Sequence, residues 1–500
     1  MEKKDRKLSK IHYILLAIIL ILSIIIRLWG LGEKSLWIDE LYSWLFSSQK
    51  TFFDSFIYMF SDLSPPIYYL ILYLWIKLFG NSEFILRFPS FLAGIASVIV
   101  IYFLAKKNFN KQIALGATIL TGLSPVLLYY SQEARPYSLF VLFSIITVSI
   151  WIELINKINN EENLDSKILF KYMIFSLLTI FIHYWGLILV FFQILYLFVV
   201  VFLKKLKLKP LFITALNIFL VSGFYLIFQY SFLKKYSFIL NPTFVRVNNS
   251  NPFIEIFNQI FYENYIFLLI IIIFLLLNAK NVKTFVIKEF TEKKLASPLI
   301  YLTYIIILPV CVYLILDKSS SFLHPRHLIF TVPAAYILIS YIIFSFDSKK
   351  EIIKNIFIFG VSSAFLVIYL FVPQKIENRL FTYYNKPKQE WGEATKFIVD
   401  NVDKNSVIII DRVSDFYDYY FKKFDKNINK FNIVIDKQIF SKKDINRKLN
   451  IYRKKYKKVY IFSTSMLGLE QIQNTMKTAK SVCGHLEHKN YVNINLYECY

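Results

Sequence analysis

A chain of 500 residues that is 56% hydrophobic, has a mean hydropathy of +0.49 and contains only 12 glycines is typical of a membrane protein with many spans. The formal net charge is +24, but the Lys and Arg residues lie between apolar runs and form no continuous basic face. This distribution argues against a nucleic-acid-binding protein and indicates basic loops that fix the orientation of the spans.

The apolar runs predict about eleven transmembrane helices. The first run, of about twenty residues, is longer than a signal-peptide core and no small-residue cleavage site follows it, so we expect a retained helix. The predicted spans are residues 11–30, 84–105, 112–130, 136–154, 168–183, 185–203, 211–233, 263–278, 298–316, 327–346 and 353–372.

One further apolar run, residues 65–80, would extend about 24 Å as a helix, which is less than the roughly 30 Å of a hydrocarbon core. If this run does not span, most Lys and Arg residues fall in loops on the same side as the N-terminus. If it did span, every later loop would change sides and the charge rule would be inverted. We therefore predict a multi-pass plasma-membrane protein with a cytoplasmic N-terminus and a long outer loop, 31–83, that contains 65–80 as a juxtamembrane helix.

The composition changes near residue 373, where the apolar runs shorten to the lengths found in soluble domains. Runs at 406–411, 431–435 and 458–463 predict buried strands. Helical patterns and a terminal hairpin surround them, with the helices near 389–402, 414–424, 441–456 and 465–480. The chain is therefore predicted to divide into a membrane domain, 1–372, and a small α/β domain, 373–500, which an odd number of spans places outside the membrane.

Two cysteines, Cys483 and Cys499, flank the predicted hairpin, in a compartment that is oxidising if this domain lies outside. A disulfide between them is one interpretation. A zinc site formed by both cysteines with His485 and His488 is another, although the spacing is not a standard one for zinc. Cys311 falls inside a predicted span, where we expect it to belong to the core.

The predicted topology brings ionisable side chains from distant segments to the outer face of the membrane. They are Asp39 and Glu40 in "WIDELYS", Glu133 and Arg135 with Tyr137 in "YYSQEARPYS", His183 and Tyr184 in "HYWG", and Arg326 and His327 in "HPRHL". Each group also has a purely structural interpretation. The carboxylates of the first motif could be hydrated loop residues, and Glu133 with Arg135 could be an ion pair at a helix end. Arg326 and His327 could face lipid headgroups, and His183 could be a hydrogen-bonded turn residue. Their convergence favours a binding site for a lipid with an anionic phosphate, with arginine on the phosphate and a carboxylate to accept a proton from an attacking hydroxyl.

The order of several motifs over residues 1–345 resembles the GT-C superfamily of membrane glycosyltransferases. The motifs are "SLWIDE", "SPPIYYL", "LRFPS", "YYSQEARPYS", "HYWG" and "HPRHLIFTVPA". Within that superfamily the chain is similar to the family 39-like bacterial proteins related to protein O-mannosyltransferases and to the lipid A aminoarabinose transferase. The resemblance implies a polyprenyl-phosphate-linked sugar as donor. It also implies an essential carboxylate in the first outer loop, here Asp39 with Glu40 beside it, and a juxtamembrane helix at 65–80.

The resemblance and the residues together predict a reaction. An acceptor hydroxyl attacks the anomeric carbon, Asp39 accepts its proton, and polyprenyl phosphate leaves with inversion. Arg135 and Arg326, with His327, would stabilise the charge on the phosphate. The substrate pocket is expected to include Glu133, Tyr137, His183 and Tyr184. Adjacent carboxylates can hold a divalent ion, but the related transferases generally do not need one, so we expect no metal or other cofactor.

Three other functions remain open from the sequence. A flippase or transporter of lipid-linked glycans would need charges along a path through the spans, whose interiors are almost uncharged here. A polysaccharide polymerase or ligase that uses a diphosphate-linked glycan shares the layout but does not need this order of motifs. A structural membrane subunit would bind a partner through its outer domain. The sugar stays unidentified, and so does the acceptor, which could be a protein, a lipid or a cell-envelope glycan.

Overall fold

The computed structural model describes residues 2–60, 62, 64–160, 162, 164–236, 279–293, 297–317, 324–345, 354, 358–360, 362–364, 389–410, 414–425, 432–435, 445–464, 482–491 and 494–500. The chain forms two compact units. The first comprises Met1–Leu31, Gln49–Gly80 and Ile85–Val372, and the second comprises Gly32–Ser48, Asn81–Phe84 and Pro373–Tyr500. The second unit thus includes two short segments of the predicted outer loop, and the domain boundary between residues 372 and 373 stays a prediction.

Helices form the described part of the first unit. In chain order the helices from the N-terminus to residue 345 are α1 Glu2–Leu28, α2 Ile38–Ser47, α3 Phe52–Phe60, α4 Ile67–Phe79, α5 Glu83–Asn108, α6 Lys111–Gly122, α7 Pro125–Ser131, α8 Tyr137–Asn159, α9 Ser166–Ile182, α10 Trp185–Leu203, α11 Lys209–Tyr236, α12 Ala279–Lys288, α13 Pro298–Asp317 and α14 Val332–Ser345. A π-helical turn, Glu289–Lys293, follows α12, and a 3₁₀ turn, Pro325–Thr331, precedes α14. Helix α2 and the first residues of α5 belong to the second unit.

Several of these helices are suited to a membrane. In the part of the chain that the structure describes, seven helices are long and apolar enough to cross a membrane, or up to eight if the bent pair of α6 and α7 is a single span. A helix lies at every predicted span up to residue 233 and at the two between residues 298 and 346. The predicted span 263–278 lies outside the described residues, and 353–372 is described at only a few positions. The total of about eleven spans therefore stays a prediction.

The predicted span 112–130 is broken in the structure, where α6 and α7 meet at a bend of 58°. Pro125 begins α7, a position at which its missing N–H costs no helical hydrogen bond. Ser124 caps the same helix, and its Oγ accepts a backbone N–H of the first turn. The pair Ser124-Pro125 therefore starts a new helix inside what the hydropathy alone represents as one apolar run.

Arg27, at the end of α1, is fully buried beside this break. Its Nη1 donates to the carbonyl of Gly122 (2.7 Å) and its Nη2 to that of Thr121 (3.3 Å). These carbonyls lie at the C-terminal end of α6, where backbone acceptors have no partner within the helix and the helix dipole is negative. The side chain of Gln132 donates to the carbonyls of Arg27 (3.1 Å) and Trp29 (2.8 Å). The end of α1 is thereby fixed to the segment that leads to the predicted site.

Helix α4 corresponds to the predicted juxtamembrane helix. It has 13 residues and a length of about 20 Å, shorter than the roughly 30 Å of a hydrocarbon core. It ends at Gly80, whose φ of +90° is in the region that favours glycine. The side chains of Tyr68 and Tyr69 in its first turn are buried. Its length is consistent with a helix that does not span.

The second unit contains a five-stranded sheet in the order β2-β1-β3-β5-β4. Strand β1 is parallel to β2 and β3, and β5 is antiparallel to β3 and β4. The elements are α15 Trp391–Asn401, β1 Ser406–Ile410, α16 Ser414–Phe424, β2 Asn432–Ile435, α17 Ile445–Lys455, β3 Lys458–Thr464, β4 Leu486–Tyr491 and β5 Ile494–Cys499. The strands lie where the short apolar runs predict them, while the predicted helix at 465–480 lies outside the described residues. Strand β1 is buried on both faces, as a parallel strand covered by helices requires.

The two C-terminal cysteines form a disulfide with 5.4 Å between the Cα atoms of Cys483 and Cys499. Zinc ligation requires free thiolates, so the zinc interpretation does not apply to this bonded pair. Cys311 is a free thiol and is exposed, so its expected place in the core was wrong. It shares one face of α13 with Ile307 and Ile315, four residues away on either side, and both are exposed. This face is apolar and is turned away from the helix bundle.

Candidate active site

Asp39 and Glu40 lie in the first turn of α2, in the second unit, and differ in exposure. Glu40 is only 1% exposed, and its Oε2 accepts the backbone N–H of Trp37 (3.3 Å), as in a capping box. Asp39 is half-buried, and its backbone carbonyl accepts a hydrogen bond from the Oγ of Ser43 (3.1 Å). The charges of both carboxylates complement the dipole of the helix at this end. Asp39 is the more accessible carboxylate of the pair.

Arg135 lies in the turn between α7 and α8 of the first unit and is 9% exposed. Its backbone is fixed on both sides, since its N–H donates to the carbonyl of Glu133 (2.8 Å) and its carbonyl accepts from the Oγ of Ser90 (3.1 Å). Its Nη1 donates to the hydroxyl of Tyr69 on α4 (3.4 Å). The guanidinium is therefore held next to α4.

The hydroxyl of Tyr69 connects Arg135 to a carboxylate, because it donates to the Oδ2 of Asp62 (2.5 Å). The backbone carbonyl of Asp62 accepts from the Nε2 of Gln229 (2.7 Å) on α11. The Oε1 of Gln229 in turn accepts from the hydroxyl of Tyr184. This network joins α4, α11 and three connecting segments of the first unit, and it includes Arg135 and Tyr184 of the predicted site.

His183 lies in the turn between α9 and α10 and forms the centre of an aromatic cluster. Its ring stacks on Phe140 at 4.7 Å between centroids, and it lies 5.7 Å from the ring of Tyr137 and 5.3 Å from that of His327. The guanidinium of Arg326 lies 5.6 Å from the centre of the Tyr137 ring, within the range of cation–π interactions. The structure thus brings four of the predicted site residues together.

The environment keeps His183 neutral. His183 is buried, and burial disfavours the charged form of its ring. Its Nδ1 accepts the backbone N–H of Trp185 (3.3 Å), which leaves the proton of the neutral ring on Nε2. The two arginines therefore supply positive charge near a neutral hydrogen-bonding ring, and this combination favours an anion.

Arg326 and His327 belong to the 3₁₀ turn that precedes α14, and both are half-buried. The ring of His327 also stacks on that of Trp185 at 6.1 Å. Glu133 is buried, and its carbonyl supports the backbone of Arg135 as described above. The roles given to these residues from the sequence stay predictions.

Three residues of the hydrogen-bond network were missed by the sequence analysis, namely Asp62, Tyr69 and Gln229. Asp62 precedes the "PP" pair that begins the apolar run 65–80, so an acid at the start of a juxtamembrane helix was the available signal. Gln229 is buried in the apolar helix α11, where a side-chain amide is costly without partners. An inspection of polar residues inside the spans would have identified it.

Comparison with known proteins relates the chain to glycosyltransferases. Residues 64–227 match the family model "Dolichyl-phosphate-mannose-protein mannosyltransferase". Over 164 residues the chain is 26% identical to the putative mannosyltransferase YkcB of Bacillus subtilis (strain 168). This match covers 31% of the chain and 22% of the relative, so the chain matches about a fifth of that protein's length.

Two solved structures share the fold. They are crystal structures of ArnT from Cupriavidus metallidurans, one in the apo state and one bound to undecaprenyl phosphate. The TM-scores are 0.57 for the apo state and 0.55 for the bound state, at 8% and 10% sequence identity, and each match covers 96% of this chain and 97% of the other. The resemblance to the GT-C superfamily is confirmed, and the chain has an ArnT-like fold.

Proposed function

We propose that this protein is a membrane glycosyltransferase that moves a sugar from a polyprenyl-phosphate donor to an acceptor hydroxyl at the outer membrane surface, with inversion. The observation that carries the proposal is that Arg326 and His183 both contact the ring of Tyr137, with Arg135 two residues before Tyr137 in the chain, largely within the segment that matches the mannosyltransferase family model. ArnT from Cupriavidus metallidurans, which shares the fold and was crystallised bound to undecaprenyl phosphate, supports this class of donor.

The two arginines are the proposed phosphate ligands. A phosphodiester donor carries one negative charge on its phosphate, and the leaving polyprenyl phosphate gains a second as the bond to the sugar breaks. Guanidinium groups suit this step because they stay charged and bind phosphate oxygens through several donors. The Tyr69 hydroxyl and the backbone contacts of Arg135 hold one of the two groups in place before the donor arrives. His183 and His327 are suited to hydrogen bonding rather than to charge.

Asp39 is the proposed base. Its carboxylate accepts the proton of the acceptor hydroxyl while the acceptor oxygen forms a bond to the anomeric carbon, and the phosphate oxygen leaves with the electron pair. Glu40 is less suited to this role because it is buried and occupied as the cap of its own helix. Asp39, half-buried in the same turn, retains access.

We also propose the predicted topology, with a cytoplasmic N-terminus, about eleven spans and the C-terminal α/β domain outside. The basic loops support it, as does a juxtamembrane helix α4 that is too short to span. In this arrangement the segments that carry the carboxylates and the two arginines are all on the outer side of the membrane.

The test is sugar transfer by the purified full-length protein in nanodiscs, with a synthetic polyprenyl-phosphate sugar as donor and donor binding followed separately. Asp39→Asn should lower turnover by the roughly 10²–10⁴-fold typical of a lost general base, with donor binding retained. Glu40→Gln is the matched control, because the amide oxygen can still cap the helix and turnover should stay near wild type.

Near-wild-type transfer by Asp39→Asn would discard the proposed mechanism. Loss in Glu40→Gln alone would keep the enzyme class and reassign the base. Donor binding without transfer to any acceptor, together with movement of the donor across the bilayer, would favour a flippase.

A further inference from the structure

The segment just before Asp39 is held by residues that lie far away in the sequence. The buried N–H of Leu36 donates to the hydroxyl of Tyr420 (2.6 Å), and that of Ile38 donates to the Oε1 of Gln389 (2.8 Å). The partners are 384 and 351 residues apart in the chain, and all belong to the second unit. Both acceptors come from the C-terminal residues.

A third contact fixes the same segment at Ser35. Its Oγ donates to the Oε2 of Glu393 (2.7 Å) and accepts the backbone N–H of Gly392 (3.1 Å). A Cβ atom at Gly392 would lie 2.7 Å from that Oγ, so the close approach requires glycine here. The chain before α2 is therefore hydrogen-bonded to the first turn of α15 and packs closely against it.

The acceptors are themselves fixed. The Nε1 of Trp391 donates to the same Oε1 of Gln389 (2.7 Å), and the Trp391 ring stacks on Phe462 of β3 at 5.8 Å. Tyr420 is buried, and its ring stacks on Phe424 one turn along α16. A continuous set of contacts thus leads from the sheet to the first turn of α2.

The first N–H groups of a helix have no acceptor within the helix, and a buried N–H without an acceptor costs about 1–3 kcal/mol. Ile38 is the first residue of α2 and its N–H is of this kind, while the buried N–H of Leu36 lies two residues before the helix. Their acceptors are the Oε1 of Gln389 and the hydroxyl of Tyr420, respectively. The position of these oxygens consequently determines where the helix starts and how its first turn, with Asp39, is oriented.

We propose that Gln389 and Tyr420 are positioning residues for Asp39, so that the C-terminal domain forms part of the catalytic unit rather than a cover or a separate acceptor-binding module. This inference rests on the proposed function, in which Asp39 is the base. The two residues act through the backbone of Leu36 and Ile38 and need not touch the substrate. A displacement of about 1 Å in a catalytic group can lower the rate by about 10²-fold, so the loss of either contact should affect turnover.

The test uses three variants of the full-length protein. Tyr420→Phe and Gln389→Leu each remove one acceptor, and Gln389→Glu restores an acceptor oxygen at the same place. The matched control is Tyr419→Phe, on the same helix, which removes a hydroxyl that donates to the carbonyl of Asn81 (2.9 Å) and does not bind the segment before α2.

Two readouts are measured, namely sugar transfer and hydrogen exchange of the Leu36 and Ile38 amides. In Tyr420→Phe and Gln389→Leu we expect exchange at the corresponding amide to rise by about 10-fold or more, consistent with a lost buried hydrogen bond. We expect kcat to fall by about 10-fold with the donor KM unchanged, and the unfolding temperature to fall by no more than the few degrees that one lost buried hydrogen bond causes. Gln389→Glu should restore both values, and Tyr419→Phe should change neither.

Unchanged exchange in both acceptor variants would overturn the inference, and so would faster exchange with an unchanged kcat. The inference would also fail if Tyr419→Phe lowered kcat as much as Tyr420→Phe and Gln389→Leu do. Because hydrogen exchange needs no turnover, it separates this inference from the proposed function. If Asp39→Asn transfers sugar normally while the amides exchange faster in Tyr420→Phe, the assignment of the base fails and the anchoring of α2 stands.

Discussion

At the scale of single residues, the hydroxyl of Tyr69 has two charged partners, which makes it more than a packing group. It donates to Asp62 and accepts from Arg135, so the position of the Arg135 guanidinium depends on that of the Asp62 carboxylate. Burial, and then the charge of Asp62, raises the pKa of Tyr69 well above its usual value, so the hydroxyl keeps its proton. A protonated hydroxyl can serve both partners at once.

Tyr69→Phe should therefore weaken donor binding. The variant removes one hydrogen bond to each of two charged groups, and such bonds contribute about 1.5–3 kcal/mol each, so we expect the donor Kd to rise by about 10-fold or more. The effect on kcat should be smaller, since Asp39 is untouched. Donor binding to the protein in nanodiscs measures it.

Tyr73→Phe, one turn further along α4, is the control for this substitution. The Tyr73 ring contacts Phe52 at 5.5 Å, and phenylalanine retains that contact. The Nζ of Lys77 also lies 5.2 Å from the centre of the Tyr73 ring, and phenylalanine retains this contact too, so the donor Kd of Tyr73→Phe should stay within about 2-fold of wild type. Equal donor affinity in both variants and wild type would separate Tyr69 from the binding of the phosphate.

At the scale of elements, the turn between α9 and α10 depends on Gly186. A Cβ atom there would lie 2.6 Å from the carbonyl oxygen of Thr179 in the preceding helix, and that oxygen is backbone and cannot rotate away. The N–H of Gly186 donates to the carbonyl of His183 (2.8 Å), so the turn that carries His183 would shift with it. The close approach of the two helices fixes the centre of the aromatic cluster.

Gly186→Ala is expected to destabilise the protein by about 1–3 kcal/mol, the range for overpacking, and to lower sugar transfer as well. Gly223→Ala is the matched control, because Gly223 is also in a helix and a Cβ atom there lies within 4 Å of no other residue in the part of the chain that the structure describes. It should leave transfer unchanged and the unfolding temperature equal or slightly higher. Thermal unfolding in detergent checks both. Equal unfolding temperatures for the two variants would contradict the close approach at Gly186.

The sequence predicts the elements well where a single physical property determines them. Long apolar runs become α5, α8 and α10, and short ones become the strands of the sheet, because burial controls both patterns. The break between α6 and α7 was missed because hydropathy is insensitive to it, although Ser124-Pro125 marks it. Likewise, Asp62 resembles any loop acid until the chain folds back over Tyr69. Such tertiary contacts depend on geometry that no local pattern encodes.

At the scale of the whole molecule, the orientation in the membrane determines whether the proposed site faces the outer side. We expect a cysteine at Lys111, at the end of the predicted cytoplasmic loop 106–111, to resist a membrane-impermeant thiol reagent in intact cells. A cysteine at Lys404 should react. Both positions are exposed, and Lys111 is chosen because its neighbour Asn110 caps α6. The exposed Cys311 is first replaced by serine. Labelling of the cysteine at position 111 in intact cells would contradict the predicted topology.

The disulfide gives a second test at this scale. Under denaturing, non-reducing conditions, alkylation should label Cys311 and neither Cys483 nor Cys499. The bond closes a loop of 16 residues, and a loop of that size is worth about 3 kcal/mol to the unfolding free energy. Cys483→Ser with Cys499→Ser should therefore lower the stability of the C-terminal domain. Alkylation of both cysteines in the wild-type protein would contradict the bond.

The long separation between Leu36 and Tyr420 also has a consequence for biosynthesis. At about 5–20 residues per second, roughly 20–80 s pass between the synthesis of the two residues. During that interval the first turn of α2 has neither the Tyr420 hydroxyl nor, for most of it, the Gln389 amide as an acceptor. The proposed base therefore reaches its final orientation only after the ribosome has made more than four-fifths of the chain. An incompletely synthesised chain, already inserted in the membrane, would carry the proposed catalytic carboxylate without the contacts that orient it.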